Sequence, residues 1–464
     1  MPDRPRYKKS IYWLQAGGGP YPYHLHHRRA GVLSLTGKWD QAGQLAEANL
    51  KNAALTERQD LAADCKIFLA GLLSNQSRYQ QALGLAREAL DFYRSACDSL
   101  GMCQGLLALS EAYKQLGEYQ EVIGHCQKAA GLARSEGNDN MLARALRNIG
   151  IIFLRQGKYP EAREYFEKDL EICRKLGDLQ GQARAFGNLG LVHDNQADRQ
   201  QAISCQQSKL EICRRTGDKQ GVAYANMSLG AAYVNLNQLD RARQLFQNSL
   251  DLSRELGDLR NICLACGNLS AVGQETGDYE QALKYSLQQL AGAEETKDKY
   301  NQLFALGSLG VIYKKLKQEA KAEEYFDRAI TLCRETGQQH DLAINLYDKA
   351  NLCHFRELYA EAEKLNAEAL EIATAINAQN VLFPARTLKA KLDARRNPEE
   401  GLRQLLASLK ESQDYEELAP LNLEIFRMTG EQVYKKTALS LYTMLNSKSA
   451  RIEYREALEE LRGG

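Results

Sequence analysis

Residues 141–178 read MLARALRNIGIIFLRQGKYPEAREYFEKDLEICRKLGD, and two helices are legible in them. In the first half, Ala145, Ile149, Ile152 and Phe153 fall on one face at the i, i+4, i+7, i+8 spacing of an amphipathic helix. A turn, Gly157-Lys158-Tyr159, separates it from a second helical segment, PEAREYFEKDLEICRKL. That segment ends at Gly177-Asp178, where glycine suits a left-handed C-terminal cap and aspartate can start the next helix.

The same text recurs along the chain at a fixed period of 40 residues. One column reads Ala42, Ala82, Val122, Ala162, Ala202, Ala242, Ala282, Ala322 and Ala362, and another Gly150, Gly190, Gly230, Ser270 and Gly310. The turn returns as Gly37-Lys38-Trp39, Gly117-Glu118-Tyr119 and Gly277-Asp278-Tyr279, and the terminator as Gly217-Asp218 and Gly257-Asp258. Nine helix pairs occupy 22–378 without a break in register. The small columns imply that paired backbones approach at the short end of the ~8–10 Å range for packed helices. One pair cannot bury its apolar stripe alone, so copies must stack into an all-α solenoid.

The pattern N-L-G-x-x-[YFH] followed by G-x-Y-x-x-A-x-x-x-[YF]-F resembles the tetratricopeptide repeat. Asn148-Ile149-Gly150, Phe153, Gly157, Tyr159, Ala162 and Phe166 fill that family's signature places in order. The usual repeat has ~34 residues, and the additions here lie around Gly177-Asp178-Leu179-Gln180-Gly181. This long variant is similar to the repeats of the Pins/LGN adaptors, and equally to repeat arms of bacterial STAND-type ATPases and cyclases. The resemblance implies a right-handed superhelix with a concave recognition surface lined by the first helix of each pair. It implies no activity of its own.

Later copies drift: Lys297-Asp298 stands where the terminal glycine is expected, and Gln338 replaces an aspartate. Beyond about residue 380 the register fails. Residues 379–464 read as divergent helix pairs, with Pro398 opening one helix, and a final capping helix over the end of the stack. Residues 1–21, with Gly17-Gly18-Gly19-Pro20, read as a flexible lead-in whose Tyr12, Trp13, Tyr21 and Tyr23 could cover the other end.

Composition narrows the function classes. Sixty Lys+Arg against 59 Asp+Glu leave a net charge of +1, without the basic excess of a nucleic-acid binder. No apolar run approaches the ~20 residues needed to span a bilayer, and no secretory signal is readable at the N-terminus. Eleven cysteines, odd in number and scattered, match a reducing compartment. A cytoplasmic location is expected. Phosphate-loop, nucleophile-elbow and zinc-protease motifs are missing, so neither catalysis nor a cofactor is expected. Cys263 and Cys266 form a CxxC inside a repeat helix at apolar columns and read as core. His24, His26 and His27 read as capping or solvated residues ahead of metal ligands, and the column tyrosines (Tyr79, Tyr119, Tyr159, Tyr279, Tyr359) as plugs between helices.

The informative surface is the face of each first helix turned away from its packing side. Arg144, Arg147, Asn148, Ile151 and Arg155 share it at ~100° per residue. The Asn148 column continues through Asn188, Ser228, Asn268, Ser308 and Asp348, with Asn195 further along. Amides and hydroxyls so spaced can hydrogen-bond an extended peptide backbone, or simply hydrate an open groove. In the Arg147 column Gly187, Gly267 and Gly307 are expected to clear space beside that ladder. Arg144, Arg147, Arg155 and Arg184 either wait for an acidic or phosphorylated segment or pair with carboxylates on neighbouring helices. The leading expectation is a non-enzymatic scaffold that binds a protein or peptide. The alternative is a sensor arm controlling a signalling enzyme such as an ATPase, cyclase or caspase-like protease.

Overall fold

The computed structural model describes residues 39–449 and 451–463. Among them the chain forms twenty-two α-helices and no strand. A second-type helix, α1 (Trp39–Leu55), comes first. It is followed by the pairs α2 (Gln59–Asn75) and α3 (Tyr79–Ser95), α4 (Ser99–Leu116) and α5 (Tyr119–Ser135), and α6 (Asp139–Arg155) and α7 (Tyr159–Leu176). Next are α8 (Leu179–Asn195) and α9 (Arg199–Thr216). The chain divides within α9 into two compact units, the first ending at Cys205 and the second starting at Gln206.

In the second unit α10 (Lys219–Asn235) pairs with α11 (Leu239–Leu256), and α12 (Leu259–Thr276) with α13 (Tyr279–Glu295). Then α14 (Lys299–Lys315) pairs with α15 (Glu319–Thr336), and α16 (Gln339–Phe355) with α17 (Tyr359–Ala375). The last helices are α18 (Gln379–Arg396), α19 (Pro398–Glu411), α20 (Tyr415–Thr429), α21 (Gln432–Lys448) and α22 (Ile452–Gly463). Within each unit helices pack chiefly on their neighbours in sequence, so each unit is an all-α solenoid.

The Gly-Asp terminators work as their chemistry requires. Gly177, Gly217, Gly257 and Gly337 take left-handed φ values of 67–70°. The carboxylates of Asp98, Asp178, Asp218, Asp258 and Asp298 each accept the backbone N–H three residues on. Where the text drifts the geometry persists: Lys297 adopts φ 55° and Asp298 still caps α14, whereas Gln338 makes no side-chain cap.

The alanine column forms the spine of the core, and no member is more than 3% exposed. The glycine column makes room for side chains of the second helix. Gly150 makes room for an aromatic ring, since a Cβ there would lie 2.7 Å from the Phe166 side chain. Gly230 and Gly310 stand in the same relation to Phe246 and Phe326, each at 2.5 Å. Where the column carries Ser270, the second helix offers Ser286 instead, and their hydroxyl oxygens lie 2.6 Å apart. Tyr119, Tyr159 and Tyr359 pack half-buried against the core, as plugs should.

Pro398 opens α19, with Asn397 capping it through the Glu400 amide. The apolar face of α22, with Tyr454, Ala457, Leu458 and Leu461, packs with Ala419 and Leu423 of α20 and Ala438, Tyr442 and Leu445 of α21. These three helices form one terminal module.

Candidate functional site

In the first unit the four arginines prove to be differently placed, and two of them, Arg147 and Arg184, have carboxylate partners. Arg147 reaches across its pair to α7, where its Nε and Nη2 donate to the two carboxylate oxygens of Asp169 at 2.9 and 3.2 Å. Asp169 is fully buried, so this bidentate bridge belongs to the interior of the pair. Arg184 lies 3.6 Å from the Asp178 carboxylate. Arg155 is exposed and donates to the Lys114 backbone carbonyl at 3.3 Å. Arg144 alone of the four is exposed with neither a carboxylate nor a carbonyl partner among the described residues.

The polar ladder also divides. Asn148 is buried, and its amide donates to Ser110 Oγ on the preceding first helix at 3.4 Å. Asn188 is half-buried and makes no such bond among the described residues, three residues before exposed Leu191. Ile151 packs half-buried against the core containing Phe166 and Leu170. Asn195 is exposed; its amide donates to the Leu191 carbonyl at 2.8 Å, and its Oδ1 accepts from Tyr159 Oη at 3.5 Å. In the second unit Asn268 reaches Met227 Sδ at 3.0 Å, while Ser228 and Ser308 are half-buried and make no side-chain hydrogen bond among the described residues. The neighbouring glycines are occupied rather than clear: a Cβ on Gly267 would meet Gln289 at 2.7 Å, and one on Gly307 would meet Asn345 Oδ1 at 2.9 Å.

A feature absent from the sequence reading emerges in the second unit. The column that carries Arg144 and Arg184 continues as Tyr224, Leu264, Phe304 and Ile344. Tyr224 and Phe304 are exposed, the latter by 48%, and Tyr300, one turn before Phe304, is 65% exposed. The signal was available: a column that changes from guanidinium to aromatic side chains is visible once it is followed to its end.

The thiols fit the core assignment. Cys263 and Cys266 are free and buried, and burial pushes the Cys266 thiol up to about 11 and raises Cys263 as well. Both are therefore protonated and weakly nucleophilic at neutral pH. No group of three or more metal-ligating side chains occurs among the described residues. No helix there is long and apolar enough to cross a membrane. His24, His26, His27 and the aromatic lead-in lie outside the described residues.

Two sequence profiles, both of the tetratricopeptide repeat, match the chain: one at 102–175, 262–335 and 304–375, the other at 62–99 and 222–256. Together they span more than half of its length. No curated protein sequence matches. Among solved structures, the apo form of RapI is similar at a TM-score of 0.58 and 12% identity, covering 77% of this chain and 99% of that one. The apo quorum sensor NprR from B. thuringiensis is similar at 0.55 and 15%, covering 74% and 97%. A STAND protein with a tetratricopeptide repeat sensor from Pyrococcus horikoshii is similar at 0.53 and 15%, covering 72% and 56%. At these identities the likeness is one of fold, and it agrees with the repeat profiles: the chain belongs to the tetratricopeptide repeat proteins.

Proposed function

We propose that this protein is a non-enzymatic scaffold whose first-helix faces bind a protein or peptide segment. The observation that carries the reading is the exposed aromatic side chains Tyr224, Tyr300 and Phe304 on first helices of the second unit. Large apolar side chains grouped on one face mark interaction surfaces, whereas isolated ones need no explanation. In the first unit the same face is polar, with Asn188 and Arg144 available to a ligand. Preference for an acidic segment then rests on Arg144, with Arg155 about three turns further along α6, because Arg147 and Arg184 already have carboxylates. A quorum sensor and a sensor-bearing STAND protein among the similar folds support a second reading, that ligand binding here regulates a signalling enzyme.

A photo-reactive amino acid at position 304 or 144 tests the first reading against a control at Glu171, which is exposed on α7. Cross-linking to a defined partner from cell extract at 304 and 144, but not at 171, is the expected result. Equal capture at all three positions would reject a dedicated face. Loss of capture at 144 in high salt, with capture at 304 retained, is expected if the Arg144 contact is charged and exposed.

A further inference from the structure

The seam between α17 and α18 differs from the one a copy earlier, between α15 and α16, in what it lacks. At the earlier seam Phe326 is fully buried, Lys349 holds the carboxylates of Asp327 and Glu361 at 2.7 and 3.7 Å, and Arg356 pairs with Glu323. Forty residues on, the arginine pair is kept, Arg396 donating to Glu363 at 2.7 Å. The rest is not. Asn366 stands in place of the phenylalanine, Ala367 in place of Asp327 and Gly401 in place of Glu361, while the lysine persists as Lys389. A ring and two carboxylates are missing together, and Lys389 is exposed and makes no ion pair among the described residues.

The seam is hollow at the same place. A cavity of about 360 Å³ is lined by Asn366, Ala367 and Leu370 of α17 and by Lys389 and Leu392 of α18, so two of the replaced positions and the unpaired lysine open onto it. Its size falls within the ~300–1,000 Å³ of small-molecule sites. Asn366 is only 2% exposed. Its Nδ2 donates to the Ala385 carbonyl at 2.9 Å, which fixes the orientation of the amide and leaves Oδ1 buried without a partner among the described residues. A buried acceptor left unbonded is costly, and a ligand that brings a donor removes that cost. Two nearby acids are engaged elsewhere: Asp393, also on the lining, accepts from Gln404 at 3.0 Å, and Glu400 accepts from Gln404 and Arg403.

We propose that this cavity binds a small aromatic carboxylate carrying a ring hydroxyl or ring N–H, which supplies the ring and the acid that the preceding copy takes from its own chain. Each part of the ligand answers one feature of the site. The carboxylate pairs with Lys389, as Asp327 does with Lys349. The ring lies against Leu370, Leu392 and the Ala367 methyl group, and its donor reaches Asn366 Oδ1. An inorganic anion would leave the apolar wall and the buried acceptor unmet, and a hydrocarbon would leave Lys389 and Asn366 unmet. None of these residues belongs to the column of Tyr224 and Phe304, so the site goes beyond the proposed protein-binding face and does not depend on it.

The test is a saturation-transfer NMR titration of the full chain with 4-hydroxyphenylacetate, which has all three parts. Saturable binding is expected. Phenylacetate, without the hydroxyl, and 4-methylphenol, without the carboxylate, should each bind about ten-fold more weakly. Ala367→Asp returns to Lys389 the acid of the preceding copy, and should weaken 4-hydroxyphenylacetate by about ten-fold while leaving 4-methylphenol unchanged. Ala350→Gly with Asn366→Phe rebuilds the pairing of Gly310 with Phe326, fills the cavity and should abolish binding of all three compounds. If that double variant fails to fold, Ala367→Asp alone decides, because it copies an ion pair the chain already makes one repeat earlier. No saturable signal up to about 10 mM overturns the proposal, since even a fragment-sized ligand that fits its site binds more tightly than that. Binding that Ala367→Asp leaves unchanged overturns it too, by placing the ligand elsewhere. Equal affinity for 4-hydroxyphenylacetate and 4-methylphenol would reject the acid and leave an apolar groove.

Discussion

The Arg147–Asp169 bridge changes what a mutation at either residue reports. Asp169 is fully buried, and removing it strands a guanidinium that is itself mostly enclosed. Asp169→Ala should therefore cost about 3–5 kcal/mol, read as a lower urea midpoint; an unshifted midpoint would mean the bridge contributes nothing. By the same reasoning Arg147→Glu is expected to lower stability before it affects binding. The aromatic knobs give a second residue-level expectation. Gly150→Ala forces a methyl group against Phe166 and should cost about 1–3 kcal/mol, with Phe166→Leu recovering part of the loss in that background. If the double variant is no better than the single, the ring is not the obstacle. Both partnerships could be read from the sequence only by comparing columns on opposite helices. Asp169 is the one acid in a column that otherwise reads Asn49, Ala89, Ala129, Lys209, Ser249, Gln289, Ala329 and Ala369, just as Arg147 is the one arginine in its own. A single helix face, taken alone, shows charges without their counter-charges.

Helix by helix, the text was far more legible, because the terminators act locally. Gly-Asp fixes a left-handed residue and a capping carboxylate within four residues, so the boundaries follow from short-range chemistry. Even the divergent region obeys it, with Asn397-Pro398 opening α19 and Asp414 capping α20. These caps carry a pH dependence of known sign. Burial pushes the Asp298 carboxyl up, but hydrogen bonds from the Asn301 side chain and from the Asn301 and Tyr300 amides outweigh it and hold the group below 3.8. A carboxyl lowered by folding adds stability above its unfolded value and loses it as pH falls through the folded one. Asp298→Ala should thus cost about 1 kcal/mol at neutral pH, and the gap from the parent chain should narrow below about pH 4. A difference that stays constant through acid would assign the cap's contribution to shape instead of charge. The helix that the sequence described least completely is α22. Its amphipathic pattern showed that one face must be covered, and α20 and α21 cover it, but no local signal named the distant turns that its polar face meets.

For the molecule as a whole, those distant contacts matter because repeat arrays are ordinarily one-dimensional. When each pair touches only its neighbours, stability is a sum of local and nearest-neighbour parts, and separate stretches can open independently. The second unit departs from that rule: Asn237, Glu275, Thr276 and Lys315 are tied to residues 448–456, so opening at one place should be felt at the other. Asn237→Ala offers a clean probe, since it removes both hydrogen bonds to Lys448 and Ser449 without altering charge. Hydrogen exchange in rising urea should show the amides of 237–238 and 448–449 losing protection together in the parent chain. In the variant the two segments should separate, with 448–449 opening at lower urea and residues deep in α11 unaffected. Two hydrogen bonds at about 0.5–1.5 kcal/mol each are enough to shift such a local opening measurably. Coincident loss in both proteins would show that the long-range contacts are energetically silent, and that the second unit unfolds as neighbours alone dictate.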